Sequence, residues 1–557
     1  MAVWTNGSPI PAPVETSPGP AAPQNPVAGG KPVGIVARLL HGTGAGVAAY
    51  GFGIASNLIL LPLYLRFWPV AVYGEWMALY SVVNYLANLD FGVTVAGVNA
   101  ATMAHARGDW PAFKRVQGTA WAASLAIAGL GVALIALPSL LLFRAQWLNL
   151  TAFTPREARL VFCCLAISLL ANIPGRQLIT VYIAIGEFAK YQWLYNAFAF
   201  ASFAATAVVL SAGAGPVIVA AVTAGMALFT IVFATWLLRR RDPRLVPSIR
   251  AADWQTARAL SAPTGQFGLS LLATVLTLQA PVVLLSRVLG GPAVALFTTT
   301  RTVANVIGGT VRLLRAPLRP EFAAVFATRS RDALGRLFRL ATSIDAIIGL
   351  SLFAVLWSSG CWLLRFWSHG RITADPTFLH LMLISVLVEG FLLVLGSTGW
   401  ATNRAHALSL GQLSTAVTSL ILAVALVRSY GVSAIPIGTI APLLLIMAPV
   451  VVWDACRKAD LRLRFVAWRL LLPFAAMGVF SAVFPLWLAS LKVAPEWLSA
   501  SVSVLVTCAI AVLITGGVFL TRDDRQFLRS RVIVQLSGRT SRQPVLSVEQ
   551  TQSLSNL

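Results

Sequence analysis

Residues 73–92 read YGEWMALYSVVNYLANLDFG, an apolar, helix-forming run that nonetheless carries Tyr80, Asn84, Asn88 and Asp90. In a water-soluble domain it would be one buried helix among polar loops. The rest of the chain excludes that reading: over 557 residues it is 57% hydrophobic and only 11% charged. Its mean hydropathy is +0.78, more apolar than any soluble core requires. Apolar segments of ~20 residues, each long enough to cross about 30 Å of hydrocarbon as a helix, recur from residue 35 to residue 520. The quoted stretch opens the second of them, expected as one helix over 74–101. About 14 such spans are expected, which makes the chain an all-α polytopic membrane protein.

The formal net charge of +23 would suit nucleic acid, but the placement of the basic residues points elsewhere. With residue 1 inside, Lys and Arg in the inner connections outnumber those in the outer ones by about three to one, the positive-inside asymmetry. Both termini are therefore expected in the cytoplasm. Runs such as RRRDPRLVPSIR (239–250) become orientation signals and contacts for anionic membrane lipids, with no nucleic-acid partner expected. Residues 1–34, rich in proline and nearly uncharged, are expected as a disordered cytoplasmic tail. Residues 521–557, rich in Arg and Ser, form a cytoplasmic C-terminal tail.

No connection exceeds about two dozen residues, which leaves no room for a soluble catalytic domain, and no enzyme activity is expected. The five cysteines lie in or beside spans without ligand spacing, so neither a metal site nor a cofactor is expected. A GxxxxGK[ST] loop is also missing, which argues against direct ATP drive. Comparing the halves, ARGDWPAFKRV (106–116) resembles TRSRDALGRLFRL (328–340), at an offset of about 222 residues. AIGEFAKYQW (184–193) faces ATNRAHALSL (401–410) at a similar offset. Six spans per copy keep the repeat parallel, so two six-helix lobes around a central cleft follow. The N-lobe is assigned to 35–238, a basic cytoplasmic linker to 239–261 and the C-lobe to 262–454. Spans 13 and 14, over 455–520, lie outside the repeat.

YGEWMALYSVVNYLANLDFG followed by ARGDWPAFKRV resembles the second helix and first cytoplasmic loop of Wzx-type polysaccharide flippases, which handle O-antigen and exopolysaccharide. These belong to the multidrug/oligosaccharidyl-lipid/polysaccharide (MOP) exporter superfamily. The resemblance covers spans 1–12 in layout, through short, loose motifs. It implies a V-shaped pair of lobes that works by alternating access in the bacterial inner membrane. The implied substrate is an undecaprenyl-diphosphate-linked oligosaccharide, moved to the outer leaflet for surface polysaccharide or lipopolysaccharide biosynthesis. Polysaccharide polymerase or assembly proteins would be its partners.

A charge inside the membrane must face a cavity or a partner. On span 8, stepping about 100° per residue from Arg301 places Asn305, Gly308, Arg312, Arg315 and Arg319 within an arc of about 80°. Such a basic ladder suits a diphosphate, because guanidinium forks match phosphate oxygens. Snorkelling to the interface, or pairing with acids, is the competing account. Arg176 of span 4 adds a positive charge from the other lobe. Tyr80, Asn84 and Asn88, with Asn305, are candidates to bind the glycan by hydrogen bonds to hydroxyls, against helix packing. Asp90 falls on the opposite face from Asn88, toward the N-lobe interior, where it could pair with an arginine or titrate. The resemblance places an acidic residue at this position of the LDFG motif. Asp90, Glu389 and Asp345 are thus candidates for H+ or Na+ coupling, with salt-bridging to the span 8 arginines the alternative. Glu75, beside Trp68 and Trp76, reads as an interfacial anchor.

Three alternatives remain in view. A drug or cation antiporter of the superfamily should have an acidic or apolar cavity rather than an arginine-lined one. A lipid II flippase would share the diphosphate chemistry. A polysaccharide polymerase or ligase would need a long outer loop, and the longest here is about 14 residues.

Overall fold

The computed structural model describes residues 51–514 apart from 54, 57, 58, 87–89, 91, 316–334, 336, 337, 340, 344, 397–405, 460–462 and 491–495. Both expected tails, Asn88 and Arg319 lie outside the described residues. Within them every regular element is helical. In chain order these are α1 (59–67), α2 (Val70–Asn84), α3 (Val93–Ala106), α4 (Trp110–Leu142), α5 (Pro155–Ala184), α6 (Phe188–Ser211), α7 (Pro216–Arg241), α8 (Trp254–Leu289) and α9 (Gly291–Arg315). There follow α10 (Ala341–Trp367), α11 (Pro376–Leu395), α12 (His406–Tyr430), α13 (from Ala434 to Ala459), α14 (Leu472–Ser490) and α15 (Glu496–Ile514). Among the described residues, eight helical stretches are long and apolar enough to cross a membrane. One of them, Ala407–Arg457, folds back on itself at Gly431 (φ 55°) into α12 and α13.

The helix starts are written locally. Asp109 accepts from the Ala112 amide at 2.9 Å and caps α4. Thr154 and Glu157 form a reciprocal capping box ahead of α5, with Pro155 at its first position. Asp253 caps α8 by accepting from Thr256 N and Oγ1, and the Thr256 hydroxyl and amide hold its carboxyl below the usual aspartate range.

Span 2 departs from expectation. The run expected as one helix over 74–101 is two, α2 ending at Asn84 and α3 starting at Val93. Gly92 takes φ 94°, a left-handed conformation. Asp90 organises the restart: its Oδ1 accepts from Gly92 N at 3.4 Å and its Oδ2 from Thr94 Oγ1 at 2.9 Å.

Two cores of the N-half join α4, α5 and α7, and one core of the C-half joins α9 to α14. Helix α2 is shared between them. Trp76, Leu79 and Val83 pack into the N-half, whereas Tyr73 and Ala78 pack into the C-half. Meanwhile Leu141, Val232, Leu445 and Leu505 stand exposed on long helices, as side chains facing hydrocarbon should.

The two halves touch at one end. There Ser286 Oγ donates to Leu148 O at 2.6 Å, Arg287 Nη1 to Gln146 O at 2.8 Å and Arg371 Nη1 to Trp68 O at 3.4 Å. At the same end Gly74 meets Gly291 so closely that a Cβ on Gly74 would lie 1.8 Å from the Gly291 carbonyl oxygen. The opposite end of α4 carries the linker, held by Asp253 N donating to Thr119 Oγ1 at 3.0 Å and by Gly118 lying against Ser248 and Ala251.

Glu75 proves to be no interfacial anchor. It is 1% exposed. Its Oε1 accepts from Thr151 N (2.7 Å), Thr151 Oγ1 (3.2 Å) and Ala152 N (2.8 Å), and its Oε2 from Phe153 N (3.1 Å). Trp68 and Trp76 are buried beside it at 4% each, with ring centroids 5.4 Å apart. The Trp68 Nε1 donates to Ala214 O at 3.0 Å. This carboxylate ties α2 to the loop ahead of α5, so its charge is matched by backbone donors rather than by water.

Candidate functional site

Helix α9 runs unbroken from Gly291 to Arg315, so the register that gathers Arg301, Asn305, Gly308, Arg312 and Arg315 on one arc applies along that whole length. Its other side is fixed by packing: Val303, Ala304, Ile307 and Val311 are buried, three of them in the C-half core. Asn305 is exposed and Arg301 half-buried, while Gly308 is buried against the neighbouring helices. The Arg301 guanidinium donates through Nη1 to the Leu278 carbonyl and lies 5.1 Å from the Phe297 ring centroid. Tyr73 stands within electrostatic reach of it. The side chains of Arg312 and Arg315 lie outside the described residues, as does that of Asp345, which opens the helical turn Asp345–Gly349.

In the N-half, α5, α6 and α7 enclose a cavity of about 210 Å³ whose wall includes Ser168, Asn172, Arg176, Tyr195, Ser202 and Thr223. Arg176 Nη2 lies 3.6 Å from Asp90 Oδ2, with the carboxylate side chain 7% exposed and the guanidinium side chain 44%. Asp90 is thus paired with an arginine, one of the alternatives left open for it, although it lies between α2 and α3 rather than on a helix face. Half-exposure keeps this ion pair weak in energy but leaves Arg176 open to the cavity. Tyr80 is within electrostatic reach of Tyr195 on that wall. Of the residues selected from the sequence, Arg176 lines this cavity and Asp90 is joined to it through the ion pair, whereas Tyr80 is not among the lining residues. Asn84, half-buried at the end of α2, is not among its lining residues.

The C-half holds a second polar chamber of about 150 Å³ where α8, α11, α12 and α13 meet. Glu389 lines it with Thr274, Thr277, Gln412, Thr415 and Ser419. Buried hydroxyls at Thr415 and Ser419 have no hydrogen-bond partner among the described residues. The structure keeps Glu389 apart from Asp90, so the coupling candidates do not form one cluster.

Two helical halves that share α2 between their cores, each with its own cavity, can now be compared with solved proteins. The inward-facing conformation of a multidrug resistance MATE family transporter of the MOP superfamily superposes with a TM-score of 0.55 at 15% identity, over 77% of this chain and 96% of that one. The lipid II flippase MurJ in an inward closed conformation superposes with a TM-score of 0.63 at 11% identity, over 86% and 98%. The fold is that of MATE and MurJ transporters. An outward-facing MATE transporter of the MOP superfamily is similar at a TM-score of 0.55. No family model and no curated protein matches the sequence. These neighbours are transporters and a flippase rather than enzymes, and a multi-pass membrane protein accords with both them and the apolar helices.

Within this MATE- and MurJ-like fold, the sequence reading missed the partners that complete each chamber. Tyr195 and Ser202 sit on α6 at near-helical spacing with Gln192 and Asn196, a polar stripe on an apolar helix that could have flagged them. Gln412, Thr415 and Ser419 make a similar stripe at i, i+3 and i+7 on α12, whereas Thr274 converges on them from α8, far away in sequence.

Proposed function

We propose that the chain is a flippase for a polyprenyl-diphosphate-linked oligosaccharide, working by alternating access in the bacterial inner membrane. The observation that carries this reading is α9: one unbroken helix, apolar where it packs into the C-half, with Arg301 and Asn305 on the remaining arc. Arg312 and Arg315 fall on that arc by register. An arginine ladder on a single face calls for a multiply charged anion, and a diphosphate offers oxygens for bidentate contact at more than one rung. Arg176 adds a cation from the N-half, and Tyr80, Asn84, Asn88 and Asn305 supply donors and acceptors for sugar hydroxyls. Asp90 and Glu389 are the carboxylates assigned to H+ or Na+ coupling, with Asp345 a third. The excess of Lys and Arg at the linker end supports cytoplasmic termini. Polysaccharide assembly proteins are the expected partners.

The test is flipping of a lipid-diphosphate oligosaccharide in vesicles by Arg312→Ala, Arg315→Ala and the matching Lys variants, with folded yield checked in parallel. Each lost charged contact to phosphate is worth about 1.5–3 kcal/mol, so binding should weaken about tenfold or more. Lysine should rescue in part, since a point charge cannot replace the fork. Alanine variants that fold and flip at the parental rate would make the ladder structural. Export of organic cations with no flipping would favour the antiporter alternative, and flipping restricted to lipid II would favour the other.

A further inference from the structure

We infer that the junction between α4 and the linker is a binding site for a phosphate group, supplied by the headgroup of an anionic lipid. The site is separate from both chambers. It is a cavity of about 190 Å³ at the linker end, lined by Lys114 and Gln117 of α4 and by Arg244, Val246, Ser248 and Ala251 of the linker. That is several times the ~30 Å³ of one water molecule, enough for a phosphoryl group.

Its side-chain nitrogens are donors. Gln117 is 2% exposed. Its Oε1 accepts from Gln177 Nε2 at 3.3 Å, and its own Nε2, like Gln177 Oε1, has no partner among the described residues. A buried amide N–H left unsatisfied is costly, and a ligand oxygen would satisfy it. Lys114 and Arg244 bring two positive charges to the same wall.

The nearby carboxylates are engaged by groups other than these two side chains. Asp242 accepts from the Arg244 backbone amide at 2.8 Å, Asp109 from the Ala112 amide and Asp253 from Thr256. Glu187 is engaged by Arg241 and, at 3.6 Å, by Lys190. Among the described residues neither Lys114 nor Arg244 has an ion-pair partner.

The flanks point to a lipid as the source of the phosphate. Trp110, Trp254 and Ile249 are exposed around the site, and exposed tryptophan beside basic residues is the pattern of the headgroup layer. A ligand there would bridge α4 to the segment that joins the two halves, and so hold the linker against the N-half.

The experiment titrates the full-length protein in neutral detergent with phosphatidylglycerol or phosphatidylcholine and reads retained lipid by native mass spectrometry. A parallel arm titrates inorganic phosphate and reads amide exchange over residues 244–251. The parental protein should retain phosphatidylglycerol saturably and in preference to phosphatidylcholine. Lys114→Ala combined with Arg244→Ala should weaken retention about tenfold or more, Lys114→Arg should largely keep it, and Arg428→Ala, far from the site, should leave it unchanged. Because the double variant could fold poorly, acetylation of Lys114 in the parental protein serves as a second reading, and phosphatidylglycerol should slow it. Saturable protection by inorganic phosphate with no lipid preference would keep the anion site and overturn the lipid source. Unchanged retention in the double variant, or no protection by either ligand, would overturn the site itself.

Discussion

Replacing Glu75 tests whether one buried carboxylate holds the end of the molecule where the halves meet. In Glu75→Ala the amides of Thr151, Ala152 and Phe153 lose their acceptor together. The Phe153 contact is buried and the other two are part-buried. One fully desolvated donor at about 1–3 kcal/mol, plus two that water can partly satisfy, gives a local loss of about 3 kcal/mol. Spread over the unfolding of so large a chain, that would barely move a melting curve. Read locally it is large: about a hundredfold faster amide exchange over 151–153. Glu75→Gln should fall between, because its amide oxygen keeps acceptors for one pair of donors while its NH2 faces another donor. The assay is hydrogen–deuterium exchange by mass spectrometry, with the interior of α5 as the unchanged reference. Parental exchange over 151–153 in the alanine variant would refute the assignment of Glu75 as the group that holds this loop.

Three further expectations follow from the same contacts. Asp90→Asn and Glu389→Gln should each leave substrate binding intact, and whichever residue carries the coupling proton should flatten the dependence of transport on pH; unaltered profiles in both would remove coupling from these carboxylates. Gly118→Val should loosen the linker, since even a Cβ there would lie 2.5 Å from the Ser248 carbonyl oxygen, and protease sensitivity at Arg244 and Arg250 should rise. Thr154→Ala removes the capping box of α5, at a cost of about 1 kcal/mol, visible as roughly fivefold faster exchange at the Glu157 amide.

How far the sequence spoke for itself depended on whether a feature was local. Helical register on α9 was legible because it needs only residue spacing and Gly291–Arg315 is one helix, although Gly308, expected on the open arc, is buried. Helix starts at Asp109, Thr154 and Asp253 were written in side chains that cap their own neighbours. The break after α2 was not legible from hydropathy, which stays high across it; it depends on Gly92 turning left-handed and on Asp90 turning back on the Gly92 amide and the Thr94 hydroxyl. Glu75 misled for a related reason. A carboxylate flanked by tryptophans looks the same whether the trio sits at a lipid interface or inside a helix junction, and only the loop at 151–153, some 76 residues away, distinguishes them. Asp90 lies past the end of α2, so the helix-face argument does not apply to it, and Arg176 as its partner required the tertiary fold. The C-half chamber was legible only through Glu389, because its other polar side chains arrive on α8, α12 and α13 and need the tertiary fold to bring them together.

The close approach of Gly74 to Gly291 bears on how such a molecule keeps time. Most contacts between moving parts are made by side chains, which can stretch, rotate and let go one after another. Here main chain lies directly on main chain, with no flexible arm on either side. That seam has no half-open setting: it is either seated or parted, because packed interfaces of this kind are bistable rather than continuously deformable. On the alternating-access reading proposed above, the dwell on each side of the membrane would then be set by the height of one barrier, and bound cargo would act by tipping a switch instead of widening a gap.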